Sequence, residues 1–187
     1  MKKNPLGFFF YTCSSLLFQG FYAIININIY NERQDILLNE IIFEPTTTRV
    51  NDTEPILPQR KTSGSAGYDF FLPVDLEIKA GESSDLIFLD VKAKMPKDVF
   101  LSLHIRSSLG IKKGLHLANI MGIIDSDYYN NQDNEGNIGI KITNSGKNDV
   151  YLKKGESVVQ GVFLKYLTTD DDAANNERSG GFGSTGK

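Results

Sequence analysis

From Val99 to Arg106 the chain alternates without a break. Val99, Leu101, Leu103 and Ile105 fall on one side, and Phe100, Ser102, His104 and Arg106 on the other. A period of two is the mark of a strand that lays one face on a core, and a helix cannot collect such a pattern on one side. The same alternation returns from Asn137 to Thr143, with Ile138, Ile140 and Ile142 together. Turn chemistry punctuates the rest: K-A-G-E at Lys79 to Glu82, N-S-G-K at Asn144 to Lys147 and K-K-G-E at Lys153 to Glu156. No long segment has a helical period, and only Ser108 to Gly114 has room for one or two helical turns. From about Glu40 onward the expectation is an all-β fold of many short strands, hence a sandwich, barrel or jelly roll.

The 187 residues suit one domain plus an appendage, and 40% apolar residues are enough for a packed core. A net charge of −3 argues against a broad basic surface, so no nucleic-acid partner is expected and any phosphate site must be local. Cys13 is the only cysteine, which excludes an intrachain disulfide and a cysteine-based zinc site. His104 and His116 form no ligand cluster and are read as structural. At the start, Met1-Lys2-Lys3 precedes a mostly apolar run from Leu6 to Phe18, as in a secretory signal, yet bulky Phe21 stands where a small residue is wanted. The run is short for a transmembrane helix. Residues 1–38 are therefore expected to be an extension: a targeting-like segment, a membrane-associating one, or an upstream stretch from a misplaced start. The domain is expected over 39–187, cytoplasmic and without a stable membrane partner.

Residues 168–187 are polar. They open on Asp170-Asp171-Asp172 and close on E-R-S-G-G-F-G-S-T-G-K. Such a stretch buries too little apolar surface to offset its ordering entropy, so it should be mobile when free. Its glycines let backbone N–H groups turn toward an anion, Arg178 and Lys187 bring charge, and Phe182 offers a flat face to a base or sugar. Two readings stand side by side: an arm that closes over a nucleotide, and a frayed terminus.

Four further segments carry chemistry-type residues. S-A-G-Y-D-F holds Asp69, I-R-S-S-L-G holds Arg106, Ser107 and Ser108, N-I-M-G-I-I-D-S-D-Y holds Asn119, Asp125, Asp127 and Tyr128, and G-E-S-V-V-Q-G holds Gln160. Each alone is an ordinary turn or cap. Together with the tail, and in this order, they resemble the five motifs of the trimeric deoxyuridine triphosphatases over roughly Glu40 to Lys187.

The resemblance implies a distorted jelly roll of the β-clip type. It implies a homotrimer with three shared sites, and magnesium-dependent hydrolysis of dUTP to dUMP and pyrophosphate. That reaction limits uracil in DNA and supplies dUMP for dTMP synthesis. By motif match, Asp125 is the general base that takes a proton from the water attacking the α-phosphorus. Tyr128 packs under the deoxyribose, and Asn119 lies at the uracil edge. Arg106, Ser107 and Ser108 meet phosphates, and Gln160 does the same from the fourth motif. Asp69 orients Arg106 and reaches magnesium through water. Phe182 stacks on uracil with Gly183 and Ser184 beside it, and Arg178 reaches the γ-phosphate as an arginine finger.

Three departures accompany the match. R-S-G-G-F brings Arg178 one residue closer to Phe182 than the family's R-G-x-G-G-F. After Tyr128 the usual R-G-E gives way to Y-N-N-Q-D-N-E-G, expected to extend a surface hairpin near the site. The third is the N-terminal extension. Two alternatives are weighed. A dCTP deaminase-like enzyme of the same fold would need a Glu where Lys141 stands. A non-catalytic dUTP-sensing binder would have no use for an intact Asp125 and closing arm.

Overall fold

The computed structural model describes residues 40–174, 178, 180 and 181. Apart from Glu40, these belong to one compact unit, Ile41–Lys187. The expectations for residues 1–38 and for Phe182, Gly183 and Ser184 lie outside the described residues.

The described chain is built of short strands and one short helix. Its centre is a four-stranded antiparallel sheet in the order β2 (Tyr68–Phe71), β12 (Ser157–Lys165), β6 (Val99–Ile105) and β8 (Gly122–Ile124). Two-stranded antiparallel pieces surround it. β1 (Ile42–Pro45) pairs with β5 (Val91–Lys94), and β3 (Leu76–Ile78) with β11 (Val150–Leu152). β4 (Ile87–Phe88) pairs with β9 (Gly139–Ile140), and β7 (Leu115–Leu117) with β10 (Ile142–Asn144). Partners distant in sequence and sheets broken into small pieces make this the distorted all-β jelly roll expected.

The period-two reading of β6 is realised directly. Val99, Leu101 and Leu103 are buried in the core, and His104 faces solvent. Ser102 is buried as well, and its hydroxyl is engaged by His104 Nε2 at 2.6 Å. The second alternating run is interrupted. Ile138, Ile140 and Ile142 all point into the core, but the strand breaks at Lys141 because β9 and β10 pair with different partners. β12 departs from alternation too. Val158 and Val159 are both fully buried, and the register shifts between Ser157 and Val159 where β12 meets β2. A bulge of this kind turns two consecutive side chains inward and re-aims the residues that follow. Gly161 pairs with Tyr68 and Leu103, and an added Cβ there would approach the side chains of Phe70 and Leu101 to 2.6 and 2.9 Å.

The expected turns are present: Gly81 and Gly155 take φ of +79° and +80°, in the left-handed region that glycine adopts without strain. The expected helical turns form α1 (Ser107–Lys113), ended by left-handed Gly114 with Lys112 and Lys113 in its last turn.

One polar group is buried as deeply as the core. Asp90 is 1% exposed and takes φ of +55°. Its carboxylate accepts hydrogen bonds from the backbone of Val50 and Asn51 and from the side chains of Asn51 and Asn137, all between 2.8 and 3.0 Å. Burial pushes this carboxyl up, but the four donors outweigh it and hold it below the ordinary carboxylate range. Stability from a carboxyl lowered in this way is present above its unfolded value, near 4, and drains as pH falls through the folded value. Asp90→Asn is expected to cost about 1–3 kcal/mol at neutral pH, because the donors lose a charged acceptor. Urea melts across the acid range should also show a shallower loss of stability for the variant than for the wild type.

Candidate active site

The chain that carries Asp125 is aimed by the edge of the central sheet. Gly122, Ile123 and Ile124 form β8, which pairs with β6 through Leu103↔Gly122 and Leu101↔Ile124. A Cβ on Gly122 would come within 3.1 Å of Leu103, so the glycine lets this edge strand lie close. The strand ends at Asp125, whose extended backbone opens a single 3₁₀ turn, Ser126–Tyr128. Asp125 is thus left at a strand end with its carboxylate half exposed, while Tyr128 is turned inward and buried.

Ahead of β8 the chain turns tightly back on itself, with an isolated bridge between Leu117 and Ile120. The turn is closed by the Ile120 N–H on Leu117 O (2.8 Å) and the Met121 N–H on Asn119 O (2.7 Å). Ile120 takes φ of +63°, a conformation a β-branched residue adopts only under strain. Asn119 is exposed beside it.

This turn, the strand end and the 3₁₀ turn enclose a cavity of about 350 Å³, the size range of small-molecule sites. Leu103, Leu117 and Ile140 line its apolar part, and Asn119, Asp125, Tyr128, Lys141 and Arg178 bring polar groups to it. Arg178 Nε bonds Asp127 Oδ1 at 2.7 Å, Nη2 bonds Asp125 Oδ2 at 2.5 Å, and the guanidinium lies 6.0 Å from the Tyr128 ring centre. Arg178 therefore bridges the Asp125 and Asp127 carboxylates. The backbone that follows is pressed close: a Cβ on Gly181 would fall 2.7 Å from the Tyr128 ring, and one on Gly180 would overlap the Asp133 carboxylate.

Asp69, Arg106, Ser107, Ser108 and Gln160 gather elsewhere, and none of them lines this cavity. Gln160 on β12 stands between Asp69 on β2 and His104 on β6 in register. Gly67 makes room for it, since a Cβ there would meet the Gln160 side chain at 2.3 Å. Arg106 extends from the end of β6, with its Nε 3.5 Å from Asp69 Oδ1 and its Nη1 donating to the Ser157 hydroxyl. Ser107 and Ser108 are exposed in the first turn of α1. Asp69 is 2% exposed, and its Oδ2 has no hydrogen-bond partner.

The motif reading did not find Ser157, Asn134 or Asn137. Tyr128 donates its hydroxyl proton to Asn137 O at 2.9 Å and accepts from Asn134 Nδ2 at 2.8 Å. Burial raises the Tyr128 phenol above its ordinary value and keeps it a donor. The signal was the density of asparagines after Tyr129, which a search for charged chemistry passes over. That segment, expected as a surface hairpin extension, is a pinned loop. Asn131 is buried, with its Nδ2 on Tyr128 O and Asn134 Oδ1, both at 2.8 Å. The Glu135 carboxylate accepts from the Thr47 hydroxyl and from the Thr47 and Thr48 N–H groups, which hold its pKa down to about 2. Among the described residues no group of three or more His, Cys, Asp or Glu could hold a metal ion, and no helix is long and apolar enough to cross a membrane.

The dUTPase family model matches residues 53–186. The deoxyuridine 5′-triphosphate nucleotidohydrolase of Lactococcus lactis is 46% identical over 132 residues, covering 70% of this chain and 87% of that protein. The enzyme of the same name from Rattus norvegicus is 33% identical, covering 70% of this chain and 62% of that protein. Among solved structures, the dUTPase of Streptococcus mutans aligns with a TM-score of 0.61 at 44% identity, over 68% of this chain and 98% of that one. A dUTPase of phage phi11 of Staphylococcus aureus, described with a structural Mg(II) ion, shares the fold with a TM-score of 0.57 at 20% identity, over 74% of this chain and 98% of that one. These matches agree with the all-β fold and with the cavity at its sheet edge, where Arg178 meets Asp125. The chain belongs to the dUTPase family.

Gly67→Ala tests whether Gln160 is seated as described. The added methyl cannot coexist with the Gln160 side chain, which must swing away. Turnover of nucleotide is expected to fall at least about tenfold, while the melting temperature changes by a few degrees at most, as Gln160 is exposed and adds little to the core.

Proposed function

We propose that this chain hydrolyses dUTP to dUMP and pyrophosphate, with Asp125 as general base. The observation that carries this is the nucleoside-sized cavity with Asp125 at its rim, Asn119 at the turn before β8 and buried Tyr128 as a wall. Asn119 and the main chain of that turn meet the uracil edge. Apolar walls leave no room for the thymine methyl, and Tyr128 packs against the deoxyribose.

The Asp125 oxygen that holds the Arg178 guanidinium is not open to an attacking water. Arg178 therefore has to leave Asp125 when the triphosphate arrives. The exchange is favourable because the triphosphate offers Arg178 more negative charge than two half-exposed carboxylates. Once freed, Asp125 orients a water and takes its proton as the oxygen attacks the α-phosphorus. Arg178 then stabilises charge on the terminal phosphate, and Phe182, Gly183 and Ser184 complete the closed arm.

Arg106, Ser107, Ser108 and Gln160 form the phosphate side. Their separation from the cavity supports a homotrimer, in which this cluster of one copy faces the cavity of another and the two halves make one site. Magnesium fits such a site as a companion of the triphosphate, which supplies its ligands, rather than as an ion in a protein cage. Asp69, with one oxygen on the Arg106 side and the other unpartnered, is suited to accept from a metal-bound water. Bound there, magnesium would offset phosphate charge. The cytoplasm, where deoxynucleotides are made, is the compartment this activity fits.

Two outcomes are expected. Asp125→Asn keeps dUTP affinity and loses about 10²–10⁴-fold in turnover, measured as pyrophosphate release; near wild-type turnover would remove Asp125 from the base role. Wild-type protein should leave dTTP, dCTP and UTP nearly untouched and sediment as a trimer. An active monomer would overturn the shared-site arrangement, and ammonia from dCTP would point to deamination.

A further inference from the structure

We propose that Asn134, in the loop Tyr129–Gly136, is a specificity-determining positioning residue that sets the Tyr128 ring and so decides how strictly ribose is excluded. The inference rests on the reading of Tyr128 as the wall beside the deoxyribose.

A phenol hydroxyl has one proton to give and lone pairs to receive. At Tyr128 both capacities are used. The proton goes to Asn137 O at 2.9 Å, and Asn134 Nδ2 donates back at 2.8 Å. The first bond leads to rigid backbone, because the Asn137 side chain exchanges two hydrogen bonds of 2.9 Å with buried Asp90. The second comes from the loop. Held from two directions at its oxygen, the ring cannot tilt about its own axis or withdraw along it.

Asn134 is itself held. Its Oδ1 accepts from Asn131 Nδ2 at 2.8 Å and from the Gly136 N–H at 3.1 Å, while its own N–H donates to Asn131 Oδ1 at 3.2 Å. The loop is stapled to the body of the domain by Glu135 on Thr47 and Thr48, and by Lys92 Nζ on Asn130 Oδ1 at 2.6 Å. The amide thus has one fixed hydrogen-bonding end facing its own loop and the other facing the phenol. A wall excludes a 2′-hydroxyl only to the extent that it refuses to move. An apolar pocket that can yield rejects one extra hydroxyl weakly. The Asn134 bond supplies that refusal at the far end of the ring from the backbone.

Asn134→Asp is the discriminating change. It keeps the shape and keeps an oxygen for Asn131 and Gly136, but puts an acceptor where the N–H reached Tyr128, so the phenol's single proton must serve this carboxylate or Asn137 O and one of the two ties on the ring is lost. The readout is the ratio of kcat/KM for dUTP to kcat/KM for UTP, with magnesium, on the full chain. The expected result is a fall in that ratio of about five- to tenfold, the worth of one buried hydrogen bond, carried by a lower KM for UTP. Tyr128→Phe removes the phenol oxygen from the other side and leaves the loop chemistry intact; it should lower the ratio comparably. Adding Asn134→Asp to that background should then change the ratio by no more than about twofold, because the partner is already gone.

An equal loss on both substrates, with the ratio unchanged, would overturn the proposal and leave Asn134 a loop brace. A full further drop in the Tyr128→Phe background would overturn it too, since the effect would not pass through the hydroxyl. A wild-type enzyme that cannot tell dUTP from UTP would defeat the reading of Tyr128 itself; a selective wild type with an equally selective Asn134→Asp would defeat only the role of Asn134.

Discussion

The exchange of hydrogen bonds between Asp90 and Asn137 is the joint on which the site hangs. The Asp90 N–H donates to Asn137 Oδ1 and Asn137 Nδ2 returns a bond to Asp90 Oδ1, with both residues at most 2% exposed. A buried carboxylate and a buried amide would each be costly alone, and together with Val50 and Asn51 they leave no acceptor of the carboxylate idle. The geometry has a cost of its own, since Asp90 must hold φ of +55°. What it secures is the position of the Asn137 carbonyl, which receives the Tyr128 hydroxyl and so fixes a wall of the cavity from within the fold.

A second constraint comes from the sheet edge. β8 is three residues long and borders the sheet, so the chain is released immediately after Ile124. Asp125 is therefore presented at the end of a rigid element, where a base can be held in place yet stay half exposed. Arg178 pairs with it and with Asp127, which offsets the repulsion between the two carboxylates. With Asp125 as the proposed base, the same pairing makes substrate charge the trigger for freeing it.

The cluster proposed for the phosphate side obeys a different logic. Gln160, Asp69 and Arg106 come from three neighbouring strands of one sheet, and the bulge ahead of Val159 sets which way β12 presents Gln160. The absent Cβ of Gly67 leaves space for that side chain. A sheet can align residues from distant parts of a sequence across a few ångströms, but it cannot fold that cluster over the cavity at β8. In the proposed trimer, symmetry between copies offers the remaining step.

Alternation along Val99–Ile105 and at Ile138, Ile140 and Ile142 determined by itself that these runs are strands with a buried face, because side-chain direction in a strand depends only on parity. Glycines at 81, 114 and 155 determined the turns, because few other residues accept left-handed backbone cheaply. The order of five short motifs determined the family. Tertiary structure decided the rest. That Val158 and Val159 are both buried depends on a bulge, which parity cannot foretell. That Asn131, Asn134 and Asn137 form the brace behind Tyr128 depends on their partners, since an asparagine in sequence reads equally as a solvated turn. That Arg178 rests on Asp125 depends on the arm folding back, a long-range contact between residues 53 positions apart. Local pattern encodes direction and backbone preference; which polar groups meet is settled only when distant segments are brought together.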